Sequence, residues 1–336
     1  MTNNNRYTLK TKNNKKIKKN KSIKRKYMDY KCNKLNVSRI HTIVYYDMGN
    51  IKGEPVIVLS GGPGEVVGNP KKLSKLFDMR RYHIIMVEQR GIGKSRPLGE
   101  LKSNTTNDLV EDIEMVRKDL ISNYGDSKSK IDILGMSWGS YVGLSYSIKY
   151  PCNVKRLVLR SVFLCSKEEF NDIENGDLYK KIHPDYYDKY SQGMKGKKSI
   201  LENYIESIEK GSKDKMQRFL DFESNTISMY PYIGKKKSKL SNDDMLMSKL
   251  QAHYFKNECF YNEMLSKNNM KRMKDIDVII INGRYDLSTP AYYAYNLHKM
   301  LPNSLIYLTV AGHSLVDKEN WEIISGIYGG NKNGWK

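Results

Sequence analysis

Cysteine is scarce in this sequence and scattered. The 336 residues hold four, at Cys32, Cys152, Cys165 and Cys259, with no CxxC pair. That spacing argues against a disulfide framework or a cysteine-based zinc site and fits a reducing compartment, so a cytoplasmic setting is expected. No apolar run approaches the roughly 20 residues needed to span a bilayer, so no membrane partner is expected. The N-terminus is polar and basic and lacks the apolar stretch of a secretory signal. Acids are nearly missing from the first 40 positions, where Asp29 alone stands against fourteen Lys or Arg. Those positions carry +13 of the formal net charge of +21. Residues 1–38 therefore read as a solvated basic tail, too poor in apolar groups to fold, whose removal should leave the rest intact. The same charge would suit nucleic acid, and the tail is the one place where such a partner is expected.

What is present from about Ile40 onward is a series of short apolar runs. His41 to Asp47, Val56 to Ser60, Tyr82 to Glu88, Ile131 to Leu134 and Arg156 to Arg160 read as strands. Between them, Leu109, Ile113, Val116 and Leu120 recur at helical spacing, with Asn104, Thr105 or Thr106 available as N-cap. A second helix is expected from Ser137 to Tyr150, stopped by Pro151. Alternating strands and helices imply a mostly parallel sheet covered on both faces. The alternation breaks from about Leu164 to Lys274, where the chain is charged, tyrosine-rich and helix-patterned. It returns with Val278 to Ile281, Ala291 to Met300, Ser304 to Val310 and Trp321 to Ile327. The expected layout is one α/β core, residues 39–163 and 275–336, interrupted by a helical insertion at 164–274.

Gly135-Met136-Ser137-Trp138-Gly139 matches G-x-S-x-G. A chain of this length meets that pattern by chance about one time in ten, so its context decides. It follows a strand and opens a helix, as a nucleophile elbow requires. Ser137 needs a base to take its proton. His313, in Ala311-Gly312-His313-Ser314, follows the strand ending at Val310. The third member should be an acid after another late strand, and Asp286 fits, whereas Asp277 begins that strand and lies at its wrong end. The order Ser137, Asp286, His313 is the order this kind of site takes along the chain. Preorganised N–H donors for an oxyanion should come from Trp138 and from the glycine turn at Gly61 and Gly62.

These residues together resemble the proline iminopeptidases (prolyl aminopeptidases), serine peptidases of the α/β-hydrolase fold, over roughly residues 40–330. Ser60-Gly61-Gly62-Pro63-Gly64 is similar to HGGPG, with Ser60 in place of His. Glu88 to Ser95 matches DQRGxGxS, Asn104 to Glu114 matches NTTxDLVxDIE, and Gly135 to Ser140 matches GGSWGS. Asn282 to Asp286 matches HGRYD, and Ala311 to Ser314 matches AGHS. The resemblance implies an α/β-hydrolase fold with an inserted helical cap. It also implies an exopeptidase releasing an N-terminal residue, proline preferred, without metal or cofactor. Gly61 and Trp138 carry over as oxyanion donors, and Gly62 as a further contact to substrate.

In the family, cap glutamates bind the substrate's free amino group. Arg218 to Glu223 matches W-x-x-W-E with Phe219 and Phe222 in place of both tryptophans, and Glu223 keeps the first glutamate. Leu250 to Phe255 matches I-E-x-H-Y-F, but Gln251 stands where the family has the second glutamate. Gln251 accepts a hydrogen bond but offers no charge. Losing a charge-assisted bond would lower selectivity for a free amine about 10- to 150-fold. An esterase or amidase with the same triad is therefore one alternative to a small-peptide substrate. A catalytically idle binding module is the other.

Overall fold

The computed structural model describes residues 29–194, 198–227, 239–260 and 266–334. Eight strands form one sheet: β1 (Tyr30–Asn36), β2 (Thr42–Gly49), β3 (Glu54–Leu59), β4 (Tyr82–Glu88), β5 (Ile131–Met136), β6 (Val154–Arg160), β7 (Asp277–Gly283) and β8 (Leu305–Thr309). Their spatial order is β1-β2-β4-β3-β5-β6-β7-β8. β1 and β2 run antiparallel to their neighbours, and every pair from β4 through β8 is parallel.

The strands read as continuous apolar runs because both faces of the sheet are covered. Ile57, Ile85 and Ile133 point to one face, beneath helices α1 (Thr106–Tyr124) and α2 (Trp138–Lys149). Val56, Ile84 and Leu134 point to the other, packed with Trp321, Ile324 and Tyr328 of a C-terminal helix at Lys318–Tyr328. Local chemistry sets the ends of α1. Thr105 and Asp108 form a reciprocal capping box at its start, and Gly125 follows its end. The Arg90 guanidinium makes two 2.7 Å bonds to the Asp112 carboxylate of α1. Both groups are buried, and this pairing ties the loop after β4 to the helix.

Between β6 and β7 the described chain is helical. The main elements are α3 (Lys167–Asn175), α4 (Asp177–Ile182), α5 (Pro184–Ser191), α6 (Ile200–Glu209), α7 (Lys213–Ile227) and α8 (Asn242–Lys256). Rings hold several of them together. Tyr190 stacks on Phe222 at 4.0 Å and on Tyr204 at 4.6 Å. No helix among the described residues is long and apolar enough to cross a membrane.

One expectation needs correction. Residues 30–36 fall inside the segment read as a tail, yet they form β1 and pair along their whole length with β2. The strand escapes an apolar reading because it is an edge strand, exposed except at Asn33 and Leu35. Backbone hydrogen bonding orders it, with little burial. The nucleic-acid expectation rests mainly on residues 1–28, which lie outside the described residues. A chain starting at residue 39 should accordingly be less stable than one starting at residue 29. The expected loss is about 1–3 kcal/mol, read as a lower Tm, and equal melting of the two would show that β1 contributes nothing.

Candidate active site

The site begins with a strained turn. Ser137 sits between β5 and α2 at φ 55° and ψ −123°. Such a positive φ is uncommon for a residue with a side chain and is held only by its surroundings. The glycines around it supply the closeness. A Cβ on Gly139 would lie 2.3 Å from the Leu59 carbonyl oxygen, and one on Gly135 would lie 2.4 Å from that of Gly139. Ser137 occupies the N-cap position of α2, but its hydroxyl makes no cap hydrogen bond. Its Oγ lies instead 3.0 Å from His313 Nε2.

His313 and Asp286 stand in the loops after β8 and β7. Nδ1 of His313 lies 3.0 and 2.9 Å from the two Asp286 oxygens. Burial opposes charge on Asp286, but His313 and two bonds from Thr289 outweigh it and hold the carboxyl below its usual range. Thr289 donates its backbone N–H at 2.8 Å and its hydroxyl at 2.9 Å to that carboxylate. The backbone of His313 is fixed as well. Its N–H donates to the Ile227 carbonyl at the end of α7 at 2.9 Å, and its carbonyl accepts from the fully enclosed guanidinium of Arg160. The other histidines are engaged elsewhere: His83 meets Asp47 at 2.6 Å and His298 meets Ser304 at 2.7 Å.

The structure thus brings Ser137, His313 and Asp286 together. Trp138 follows directly, and its N–H opens α2, so the helix offers it no carbonyl partner. Its indole is fully buried and donates to Gln89 Oε1 at 3.0 Å. Gln89 also donates to the Gly61 carbonyl at 3.0 Å and accepts from the Gly64 N–H at 3.2 Å. One side chain therefore registers the glycine turn against the elbow. Gly62 has a φ of 110° and a Cβ there would collide with the Gly64 nitrogen at 2.4 Å. At Gly61 the structure differs from expectation. Its N–H is not open but donates at 3.0 Å to the Glu65 carboxylate.

A cavity of about 420 Å³ opens onto Ser137 and His313 and is roofed by Glu223 and Gln251 of α7 and α8. Gln251 donates toward both Glu223 oxygens at 3.4 Å, while its own Oε1 is buried with no partner among the described residues. Burial pushes the Glu223 carboxyl up to about 7, Gln251 pulls it back, and the nearby Glu65 charge adds to the rise. A larger cavity of about 720 Å³, between Leu98 and Met245, contains none of these groups. No cluster of three or more metal-ligating side chains occurs among the described residues. Thr289, Arg160, Gln89 and Glu65 were not singled out in the sequence. A signal existed only for Gln89, which lies inside a family motif.

Residues 54–319 match the family model described as the alpha/beta hydrolase fold. A probable proline iminopeptidase of Leptolyngbya boryana is 34% identical over 302 residues, which cover 86% of this chain and 90% of the relative. The proline iminopeptidase of Neisseria gonorrhoeae is 32% identical over 290 residues, 84% of this chain and 90% of the relative. The chain belongs to the proline iminopeptidase family. Solved structures agree on the α/β-hydrolase fold alone. A Bacillus anthracis bromoperoxidase aligns with a TM-score of 0.59 at 16% identity, covering 88% of this chain and 98% of its own. An epoxide hydrolase from Vigna radiata gives 0.56 at 17% identity, covering 89% and 97%. Against the motifs that this family shares, the chain departs at Ser60, Phe219, Phe222 and Gln251.

The tightness of the elbow is open to test. Gly139→Ala forces Cβ onto backbone oxygens, so it should destabilise the protein by about 2–4 kcal/mol, seen as a lower denaturant midpoint. Gly143→Ala on the same helix meets a side-chain methyl of Ile133 at 3.1 Å and should lose less than half as much. A Gly139→Ala protein as stable as wild type would remove the steric argument.

Proposed function

We propose that this protein is a serine aminopeptidase that releases an N-terminal residue, proline preferred, from small peptides through an acyl-enzyme. The observation that carries this reading is the relay from Ser137 Oγ through His313 to Asp286, at 3.0 and 2.9 Å, beneath a carboxylate-bearing roof.

Ser137 Oγ attacks the carbonyl carbon of the first residue while His313 Nε2 takes its proton. Asp286 keeps the imidazole in the tautomer that can do this and stabilises the imidazolium that results. The oxygen that gains charge faces the Trp138 N–H and, once it is released, the Gly61 N–H. When the tetrahedral species collapses, the C–N bond breaks and His313 gives its proton to the departing amine. Water, activated by His313, then hydrolyses the ester on Ser137 and restores the enzyme. No metal or cofactor takes part in these steps. The substrate's α-ammonium sits against Glu223 and the open Oε1 of Gln251, because an enclosed cation needs counter-charge and acceptors. A cytoplasmic setting belongs to the same reading and rests on the scattered cysteines.

An esterase or amidase is the second reading, and Gln251 is the observation that favours it. Matched assays with proline-naphthylamide and nitrophenyl acetate separate the two. A fluorophosphonate probe separates both from an idle binding module.

Ser137→Ala and His313→Ala should each remove most hydrolysis of every substrate, and the double variant should lose little more, because the residues act as a unit. Wild-type turnover in Ser137→Ala would sink the assignment.

The roof makes a pH prediction. Burial raises the Glu223 carboxyl to about 7, so its charge is missing below that pH and grows as pH rises through it. The ratio of kcat/KM for proline-naphthylamide over its N-acetyl analogue should therefore climb between about pH 6 and 7.5. It should fall again once the substrate amine loses its proton near pH 8. Glu223→Gln should flatten the rise, and an unchanged rise in that variant would separate Glu223 from amine recognition.

A further inference from the structure

Glu65 stands where an oxyanion donor is needed. Its Oε2 accepts the Gly61 N–H at 3.0 Å and lies 2.6 Å from where a Gly61 Cβ would be. That same position is 3.7 Å from Ser137 Oγ. A carboxylate oxygen therefore occupies the space in which a substrate carbonyl oxygen would meet the Gly61 donor. The backbone of Glu65 is pinned. Its N–H donates to the Gly61 carbonyl at 3.3 Å, and its own carbonyl accepts from Ser60 Oγ at 3.0 Å. The side chain is exposed at the cavity mouth. It can swing without disturbing the turn.

The substrate's geometry gives this a purpose. In an N-terminal residue the α-nitrogen is only two bonds from the scissile carbonyl carbon, about 2.5 Å away. A carboxylate beside the Gly61 donor therefore lies within a side-chain rotation of that nitrogen. The roof above is short of acceptor charge, since Gln251 supplies an Oε1 unpartnered among the described residues and no charge.

We propose that Glu65 is a specificity-determining residue: it blocks the Gly61 donor in the free enzyme and leaves it to pair with a substrate's α-ammonium. The inference rests on the aminopeptidase reading above and deepens it. A free amine draws Glu65 off Gly61 and so completes the oxyanion site. An N-acylated substrate or simple ester has no cation to draw it, and reacts with one donor still occupied. Selection for a free N-terminus then arises at the catalytic loop, and the charge missing at position 251 is supplied from the opposite wall.

The test compares wild type with Glu65→Ala and Glu65→Gln. The readouts are kcat/KM for proline-naphthylamide and nitrophenyl acetate, the labelling rate with a fluorophosphonate probe, and Tm. Glu65→Ala opens the donor, so ester turnover and labelling should rise about 10-fold. The preference for proline-naphthylamide over the ester should fall by at least about 10-fold. Glu65→Gln can still cap Gly61 but carries no charge, so it should lose free-amine preference with little gain on the ester. If Glu65→Ala does not fold, the loss of preference in Glu65→Gln carries the test. An unchanged substrate ratio in a folded variant, with labelling no faster than wild type, overturns the role of Glu65 alone. A wild-type protein that neither labels nor turns over any substrate overturns the hydrolase reading and this inference with it.

Discussion

Every contact at the site depends on how closely β5 and α2 approach the loop after β3. Gly139 touches the Leu59 and Ser60 carbonyls at distances that leave no room for a Cβ. That closeness holds Ser137 at a positive φ and stands its hydroxyl away from the helix it caps. The same turn makes the Trp138 N–H the first of the helix, with no carbonyl behind it. The stance of the Ser137 hydroxyl and the place of the Trp138 N–H are thus two outcomes of one backbone constraint. Gln89 extends it to the glycine turn by bonding Gly61, Gly64 and the Trp138 indole at once.

The electrostatic design around this constraint separates groups that must stay charged from groups that need not. Asp286 lies in the interior, yet it receives a backbone N–H, a hydroxyl and an imidazole, and its charged form wins. At Glu223 burial and a second carboxylate nearby outweigh the bond from Gln251, and its neutral form gains. Both groups are desolvated, and the neighbouring charge differs: an imidazole beside Asp286, a carboxylate near Glu223. Arg160 adds a cation under the His313 carbonyl and faces Asp286, Glu65 and Asp317 together.

Much of the core was legible because buried strands leave continuous apolar runs, and a strand–serine–helix passage has few other uses. The residues that depend on proximity were not legible. β1 reads as tail because its order comes from backbone pairing with β2, and hydrogen bonding of that kind leaves no apolar pattern. Thr289 and Arg160 are unremarkable in sequence and matter only because loops after three different strands converge. Glu65 directly follows a glycine motif whose spacing predicts an open donor. Only coordinates reveal that its side chain folds back onto that donor. Gln251 was visible as a departure from a pattern, but its open Oε1 was not.

The order of elements has a consequence in time. Neighbouring strands β6 and β7 are separated by the whole helical insertion, and Ser137 meets His313 across 176 positions of chain. Ribosomes add roughly 5–20 residues per second, so Ser137 precedes His313 by about 9–35 s during synthesis. Throughout that interval its hydroxyl is an ordinary alcohol. A nascent or truncated chain ending before β7 carries the G-x-S-x-G turn without Asp286 or His313. The Ser137–His313–Asp286 arrangement is completed by the last strands, after the helices that roof it have already been made.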